Sequence, residues 1–412
     1  MKILFFTENF YCGGLDSFLI NLINNWPYPK DHFTIICNKT HPGLSVIASS
    51  LNRPCRIIPH RITFYAELSR RTNHMPTINF FLRMFSPLLR YLFFAYYVKA
   101  LRKFFSIENP DRLMIINGGY PGGDTCRAAS IAWGLLGDKP LSIHNFHNFS
   151  TPPRWWEKWM ENKIDSLVFR SSQFFISVSK ACLQSVKNRP PIGMTKKNIC
   201  IYNGIDSFDS ALKTENGANV KQDLGLPESS LMCLMLGTYE PRKGHDFLLR
   251  SFQIVHNEIP QTHLVICGYG SKKEMDDVKR LVEKYELDSY VHIFGFRTDT
   301  AQLLRHTDVL LVSSQEYESF GFTSVEAMSV KTPVVVTNTG GIPEVVKNGE
   351  GGYCVDRHDV RGYAQKIILL LKNDKLRKEQ GEKGYQRFLN LFTADRMAEQ
   401  YAKLIRFKQR ES

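Results

Sequence analysis

Short apolar runs, separated by stretches of helical periodicity, recur along the whole chain. Residues 2–6 form the first run, and residues 17–25 follow it with apolar side chains three and four positions apart, which is typical of a helix. Similar runs predict strands at residues 33–37, 113–116, 141–143, 174–178, 199–202, 231–236, 263–267, 291–294, 309–312 and 333–337. Because continuous apolar strands alternate with helices, we predict parallel sheets covered on both faces.

One polar stretch, residues 207–228 with its Asn216-Gly217 pair, interrupts this alternation. The 412 residues also exceed an ordinary single domain. We therefore predict an α/β fold of two Rossmann-like parallel-sheet domains that face a cleft, with ligands bound beyond the carboxyl ends of the strands. The predicted segments are a first domain at 1–206, a linker at 207–228, a second domain at 229–390, and a C-terminal helix at 391–412 that can pack back on the first domain.

Composition restricts the class of protein. Hydrophobic residues make up 43% of the chain and charged residues 23%, as in a globular protein. The net charge of +13 fits a nucleic acid, an anionic membrane or a phosphorylated ligand, and it also fits plain solubility. The nine cysteines are scattered without a Cys-x-x-Cys pair, which argues against a disulfide framework and a zinc site. With no apolar run long enough to cross a bilayer and no visible secretory signal, we expect a cytoplasmic protein, soluble or peripheral on a membrane.

Three loops that follow predicted strands carry the candidate chemistry. In the first, Glu318 and Glu326 flank a glycine-containing loop after the strand at 309–312. A helix beginning near Phe322 would point backbone N–H groups at an anion. The carboxylate of Glu326 suits a vicinal diol, because it can accept two hydrogen bonds.

The other two loops are basic and glycine-rich. Arg242 and Lys243 follow the strand at 231–236, where they can neutralise a diphosphate. Gly340 and Gly341 follow the strand at 333–337, where a backbone without side chains can approach a ligand closely. Each loop alone has a plain explanation as solvated charge or a turn, but the three together favour a ligand site.

The order of these loops resembles the nucleotide-sugar-binding domain of the retaining GT-B glycosyltransferases of family four (glycosyl transferases group 1). The matching residues are Lys243-Gly244, the segment Glu318-Ser319-Phe320-Gly321-Phe322-Thr323-Ser324-Val325-Glu326, and Gly340-Gly341-Ile342-Pro343-Glu344. Asn203-Gly204-Ile205-Asp206 and Gly13-Gly14 resemble two further family motifs. The resemblance is strong after about Leu231 and loose before it.

The resemblance implies retaining transfer of a sugar from a nucleotide-diphosphate sugar to a glycan or glycolipid acceptor, in surface polysaccharide or glycolipid assembly. The implied catalytic residues are Glu318, Lys243 and His144, with His147 as the alternative to His144. The implied donor-binding residues are Arg242, Lys243, Glu318, Phe320, Gly321, Phe322, Thr323, Glu326, Gly340, Gly341, Gly13 and Gly14. Among these, Glu326 would hold the ribose hydroxyls, and Lys243 with Arg242 the diphosphate. Thr238 stands where the family has an arginine, and Arg242 can supply that charge.

We expect no metal ion and no cofactor, because the sequence contains no Asp-x-Asp. Two alternatives remain open at this point. One is another GT-B enzyme, such as a nucleotide-sugar epimerase or a phosphorylase. The other is a non-catalytic, basic membrane-binding or nucleic-acid-binding protein. We expect no nucleic-acid partner, since no nucleic-acid motif is apparent.

The stretch 61–105 predicts docking on an anionic membrane. Its cations are Arg61, Arg70, Arg71, Arg83, Arg90, Lys99, Arg102 and Lys103, against the single acid Glu67, with many aromatic residues between them. Cationic and bulky apolar side chains on a helix are typical of an anchor that lies in a membrane interface. The alternative is that the aromatic side chains face the domain core and the arginines form a solvated rim.

Overall fold

A computed structural model describes residues 1–10, 13–60, 62, 86–193, 195–208 and 220–407. The chain divides into two compact units, the first made of Met1–Tyr202 with Met397–Ser412 and the second of Asn203–Arg396. Each unit contains a seven-stranded sheet. All pairings between the named strands are parallel. The predicted α/β architecture of two parallel sheets is therefore confirmed.

The sheet of the first unit has the strand order β3-β2-β1-β4-β5-β6-β7. Its strands are β1 (Lys2–Thr7), β2 (His32–Asn38), β3 (Cys55–His60), β4 (Arg112–Asn117), β5 (Ser142–Phe146), β6 (Ser172–Ser177) and β7 (Asn198–Cys200). The helices are α1 (Gly14–Asn24), α2 (Leu44–Ser50), α3 (Ser86–Glu108), α4 (Asp124–Gly134), α5 (Lys158–Ser171) and α6 (Lys180–Ser185), followed by the 3-10 turn Val186–Asn188. The strand order reverses between β1 and β4, and such a switch point leaves a crevice at the carboxyl ends of the strands.

The sheet of the second unit has the order β10-β9-β8-β11-β12-β14-β13 and reverses between β8 and β11. Its strands are β8 (Leu231–Leu236), β9 (Thr262–Cys267), β10 (Val291–Phe294), β11 (Val309–Val312), β12 (Val334–Thr337), β13 (Lys347–Asn348) and β14 (Gly351–Val355). The helices are α7 (Val220–Asp223), α8 (His245–Glu258), α9 (Lys272–Lys284), α10 (Thr300–Arg305), α11 (Phe322–Ser329), α12 (Ile342–Val345), α13 (Val360–Lys372) and α14 (Asp374–Leu391), with a 3-10 turn at Pro241–Lys243. The last helix, α15 (Ala394–Arg406), begins in this unit and belongs to the first unit from Met397 onward.

Only part of the predicted linker belongs to the described residues, because 209–219 lie outside them. Its last part is α7 and the turn after it, and Val220, Leu224 and Leu226 there are buried. Apolar side chains removed from water stabilise the fold by about 25 cal/mol per Å². This part of the segment therefore packs as a portion of the second unit.

The C-terminal helix α15 contacts the sheet of the first unit. Tyr401 is fully buried, and its hydroxyl accepts a hydrogen bond from Asn145 Nδ2 at 2.7 Å. The carbonyl of Ile405 accepts another from Arg112 Nε at 2.6 Å. The predicted return of this helix to the first domain is therefore confirmed.

The described part of the predicted membrane-docking stretch is mainly α3. Residues 61 and 63–85 lie outside the described residues, and with them the predicted cations Arg61, Arg70, Arg71 and Arg83. Within α3, Phe94, Tyr97 and Phe105 are buried in the core of the first unit. The alternative explanation is correct for these aromatic residues, because a helix packed on a sheet turns one face inward.

Arg90 is also not a free surface cation. Its guanidinium lies 2.8 Å from Asp124, 3.6 Å from Glu157 and 3.4 Å from Glu161.

The exposed side chains of α3 are Leu88, Leu92, Tyr96, Lys99, Arg102, Lys103 and Ile107, among others. Among the described helices, none is both long enough and apolar enough to span a membrane.

Candidate functional site

An ion pair joins two of the predicted loops in the second unit. Lys243, at the end of the 3-10 turn after β8, donates a hydrogen bond to Glu318 Oε2 at 2.5 Å. The guanidinium of Arg242 lies 3.9 Å from the same oxygen. The loops that carry these residues follow β8 and β11, which are neighbours at the switch point. The sequence prediction that Lys243 and Glu318 belong to one site agrees with this geometry.

Charge controls the protonation of Glu318. Burial alone would raise the pKa of this carboxyl group, but attraction and hydrogen bonding from Lys243, with Arg242 and Ser314, hold the pKa below its ordinary value. Glu318 is therefore ionised at neutral pH. Any anion that binds Lys243 must compete with this carboxylate for the ammonium group.

The helix predicted to begin near Phe322 is α11. Gly321 precedes it in the left-handed conformation, with φ of 98°, which a glycine adopts without steric cost. The first N–H groups of any helix have no partner within the helix and form an anion site together with the helix dipole. Ser324 in this first turn has a buried hydroxyl with no hydrogen-bond partner among the described residues. This end of α11 therefore offers donors to an anionic ligand.

The glycine loop after β12 packs directly on the backbone of Glu318. Gly340 has φ of 57°, and a Cβ atom there would lie 2.2 Å from the Glu318 carbonyl oxygen. Gly341 donates its N–H to that oxygen at 2.8 Å. Glycine is therefore required at position 340 for this close approach, and all three predicted loops meet at Glu318.

Glu326 lies in the second turn of α11 and is half-buried. Burial raises the pKa of its carboxyl group to about 7. No ion pair of Glu326 is found in the part of the chain that the structure describes. A carboxylate of this kind gains free energy from any donor that reaches it, such as a diol.

The remaining residues of this loop have different roles. Phe320 is buried, and its ring packs against Phe322 at 5.5 Å and Phe392 at 5.8 Å. Phe320 can therefore meet a ligand only through its backbone. Phe322 and Thr323 are partly exposed at the start of α11.

Arg242 and Thr238 differ in the contacts that they already make within the protein. The guanidinium of Arg242 pairs with Glu240 and lies over the Tyr317 ring, 5.0 Å from its centroid. Thr238 has a buried hydroxyl without a hydrogen-bond partner among the described residues. The positive charge next to Glu318 therefore comes from Lys243 and, at longer range, from Arg242.

In the first unit, the predicted position of His144 is wrong. Strand β5 continues to Phe146, so His144 lies in the middle of the strand and not after it. Its side chain is fully buried, between the rings of Tyr120, Phe146 and Phe175. Burial, helped by Arg127, lowers the pKa of His144 to about 3. His144 is a neutral residue of the core.

His147, the alternative, is the residue directly after β5. Its N–H donates to the Asn117 carbonyl at 2.9 Å, and its ring lies 4.3 Å from the ring of Phe18. Both ring nitrogens are buried without a hydrogen-bond partner among the described residues. Burial also lowers the pKa of His147 to about 3. His147 therefore has the strand-end position that the sequence assigned to His144.

The carboxyl ends of β1 and β4 hold a carboxylate that sequence reasoning missed. Glu8 follows β1 and accepts a hydrogen bond from the Thr125 hydroxyl. Burial raises the pKa of Glu8 to about 7 despite this bond. A Cβ atom on Gly123 would lie 2.5 Å from Glu8 Oε2, so the loop after β4 closes tightly on the carboxylate. The missed signal was the group of four glycines within 118–123, directly after a predicted strand.

Gly13 and Gly14 lie at the start of α1, near the same edge of the first sheet. Both are exposed, and the Gly13 N–H donates to Asp16 Oδ2 at 3.0 Å. A Cβ atom on Gly13 would meet no atom within 4 Å. Gly13 and Gly14 therefore leave the helix start open, as their predicted role requires.

Comparison with known proteins identifies relatives of this chain. Residues 218–387 match the model of the family "Glycosyl transferases group 1". N-acetyl-alpha-D-glucosaminyl L-malate synthase of Bacillus anthracis is 27% identical over 201 residues, which are 49% of this chain and 51% of that protein. The lipopolysaccharide core biosynthesis glycosyltransferase LpsE of Rhizobium meliloti is 26% identical over 185 residues, 45% of this chain and 52% of that protein. The chain spans about half the length of these two curated relatives.

A solved structure matches nearly the whole chain. It is the crystal structure of Anabaena HepE in complex with UDP and glucose, with a TM-score of 0.73 and 18% identity, covering 98% of this chain and 99% of HepE. This likeness extends over both units and concerns the fold. The chain thus has the GT-B fold, and its residues 218–387 match the glycosyl transferases group 1 family.

Proposed function

We propose that this protein is a retaining glycosyltransferase that moves a sugar from a nucleotide-diphosphate sugar to a glycan or glycolipid acceptor. The observation that carries the proposal is the convergence of Lys243, Glu318, the Gly340-Gly341 loop and the start of α11 at one edge of the second sheet. A cation, a helix start and a closely approaching glycine loop are the parts that a diphosphate requires. HepE, which shares the fold, is solved with UDP and glucose.

The donor is held by its two ends. The diphosphate pairs with the ammonium group of Lys243, for which it competes with the carboxylate of Glu318, and Arg242 adds positive charge at longer range. The ribose diol donates to Glu326, whose carboxylate has no cation to neutralise it among the described residues. Glu318 and the backbone of 320–323 contact the transferred sugar and the adjoining phosphate, and Gly340 and Gly341 line the pocket.

Catalysis follows from the placement of charge. Departure of the nucleoside diphosphate develops negative charge, and Lys243 with the N–H groups of α11 stabilises it. In the front-face mechanism that the family resemblance implies, the leaving phosphate accepts the proton of the acceptor hydroxyl. Neither step calls on a metal ion or another cofactor, and we propose that the enzyme is independent of both.

The acceptor binds at the switch point of the first unit. Glu8 and His147 lie after strands β1 and β5, on either side of the loop after β4. Glu8 is a buried carboxylate held by Thr125, and both ring nitrogens of His147 have no hydrogen-bond partner among the described residues. Polar groups with unmet hydrogen bonds favour a ligand rich in hydroxyl groups. We assign His147, in place of His144, to positioning the reacting sugar, together with Gly13 and Gly14.

The biological setting is assembly of a surface polysaccharide or glycolipid at the cytoplasmic face of an anionic membrane. The relative named for lipopolysaccharide core biosynthesis supports this setting. The exposed cations Lys99, Arg102 and Lys103 of α3 support peripheral contact with the membrane. Each cation near an anionic surface adds about 1 kcal/mol.

The stereochemistry of transfer tests the proposed reaction without knowledge of the natural acceptor. The protein is incubated with the nucleotide-sugar that it binds best and with methanol as a surrogate acceptor, and proton NMR identifies the first methyl glycoside formed. From an α-linked donor, the α-glycoside is expected. A β-glycoside as the first product would contradict the retaining mechanism, and release of free sugar epimers would favour an epimerase.

A further inference from the structure

In helix α5 and the loop before it, the acidic side chains face the interior and the basic side chains face solvent. The acids of this segment all point into the first unit, and they are Glu157, Glu161 and Asp165. Glu161 binds the buried guanidinium groups of Arg127 at 2.8 Å and Arg189 at 2.7 Å. A buried carboxylate needs such partners to compensate for its lost hydration. Glu161 and Asp165 are therefore paired in the interior, and the partly buried Glu157 lies near Arg90.

The outward face of the same segment is cationic. Its exposed cations are Arg154, Lys158, Lys163 and Arg170. Since the neighbouring acids are turned inward, these four charges are not neutralised within the segment. This part of the surface therefore attracts an anionic partner.

Three tryptophans lie among these cations. Trp155 is 83% exposed, Trp156 56% and Trp159 67%. Single exposed apolar residues are common on soluble proteins, whereas a cluster of large aromatic side chains marks an interaction surface. We call the segment from Arg154 to Lys163, with these three indoles, the tryptophan surface.

The rings of the tryptophan surface are arranged for a membrane interface. Lys163 Nζ lies 3.5 Å from the centroid of the Trp159 ring, and the Arg154 guanidinium lies 5.6 Å from that of Trp156. Because a cation covers one face of the Trp156 ring and one face of the Trp159 ring, insertion of either ring between two nucleic-acid bases, which needs both faces, is impeded. An indole at the level of lipid headgroups needs no free ring face, and long cationic side chains beside it can reach the phosphates.

We propose that the tryptophan surface docks the first unit on an anionic lipid bilayer. The inference rests on the proposed membrane association and assigns it to residues outside the stretch 61–105. The tryptophan surface belongs to the loop and helix that follow β5, only a few residues after His147. Docking there brings the bilayer to the edge of the sheet to which we assign the acceptor, as a lipid-linked acceptor requires.

Vesicle binding by the full chain tests this assignment. The variants are a tryptophan variant (Trp155→Ser, Trp156→Ser, Trp159→Ser), a matched α3 variant (Lys99→Ser, Arg102→Ser, Lys103→Ser), and a charge control in the second unit (Lys272→Ser, Lys273→Ser). Each is sedimented with vesicles of phosphatidylglycerol and phosphatidylcholine in equal parts, and with phosphatidylcholine alone. Thermal unfolding confirms that each variant is folded, and nucleotide binding in the second unit provides a further check.

We expect the wild type to bind only the anionic vesicles, with a blue shift of its tryptophan fluorescence. The tryptophan variant should lose about tenfold or more in affinity, because three large apolar side chains no longer leave water for the bilayer. The charge control should bind as the wild type does. Undiminished binding by a folded tryptophan variant, with loss in the α3 variant, would overturn this inference and leave the membrane proposal standing. Failure of the wild type to bind anionic vesicles would overturn both.

Discussion

Replacing Glu326 by glutamine should stabilise the free protein and weaken its complex with a nucleotide-sugar. Burial raises the pKa of Glu326 from 4.5 to about 7, so the folded protein disfavours the carboxylate. This cost of folding is absent below pH 4.5, grows up to about pH 7, and is constant above it. A tenfold change in an acid's dissociation constant corresponds to about 1.4 kcal/mol, and partial exposure of the side chain screens the effect. Glu326→Gln should therefore stabilise the protein by about 1–3 kcal/mol at pH 8 and by nothing at pH 4.

The donor reverses this preference, because a ribose diol donates to the carboxylate and repays the cost of its burial. Loss of the charged contact should weaken donor binding by about 1.5–3 kcal/mol, which is about 10- to 150-fold. For the wild type, affinity should fall as the pH drops below about 7, where Glu326 becomes protonated. In Glu326→Gln this pH dependence should be reduced.

Urea unfolding at pH 8 and pH 4 and calorimetric titration of the donor measure the two effects. Glu283→Gln, which changes an exposed glutamate on α9, is the matched control and should alter neither quantity. A Glu326→Gln protein with unchanged stability at pH 8 and unchanged donor affinity would refute both the burial argument and the ribose assignment.

Other predictions address the remaining residues. Lys243→Ala should lower the transfer rate by on the order of 100-fold, as measured by release of nucleoside diphosphate, and wild-type turnover would remove Lys243 from the mechanism. His147→Ala should lower the same rate without changing the free energy of unfolding by more than about 1 kcal/mol, whereas His144→Ala should mainly destabilise the core by about 2 kcal/mol or more; the opposite pattern would reverse our assignment. Glu8→Gln should leave nucleotide binding unchanged and lower transfer to the acceptor about tenfold; weaker nucleotide binding would contradict its acceptor role. EDTA should leave turnover intact, and a loss restored by manganese or magnesium would show that a metal ion is needed.

Much of the second unit could be predicted from the sequence because its signals are local. Strands β8, β10 and β11 have the predicted bounds, since each is an apolar run that ends where a polar loop begins. Motifs placed directly after such strands must gather at one edge of a parallel sheet. The contact between Lys243 and Glu318 was therefore accessible without coordinates.

Two strands of the first unit, β5 and β3, were not predicted correctly in the same way. The strand at 141–143 was predicted too short, because His144 and Asn145 are polar and nothing local shows that a strand can bury them. Edge strand β3 was missed because Arg56 and Pro59 interrupt its apolar run, which an edge strand tolerates.

Ion pairs between residues far apart in the sequence could not be predicted either. Arg90, predicted as a membrane-facing cation, contacts Asp124 and Glu161, and Glu161 also binds Arg127 and Arg189. Which cations face solvent therefore depends on which acids the fold brings inside. The exposed cations of α5 are recognised as unneutralised only when the structure shows that its acids face the interior.

Thermal unfolding of the wild type and of Lys243→Ala, with a panel of nucleotide-sugars, tests the central claim most directly. The panel should include UDP-, GDP-, ADP- and dTDP-sugars, with a CMP-sugar as an internal control that carries a single phosphate. A donor at 100 times its dissociation constant stabilises the folded state by about 2.7 kcal/mol, which corresponds to several degrees. We predict that at least one diphosphate sugar raises the midpoint of the wild type, that the CMP-sugar does not, and that Lys243→Ala loses most of the shift. A wild type that no nucleotide-diphosphate sugar stabilises, or a Lys243→Ala variant stabilised as strongly as the wild type, would contradict the account.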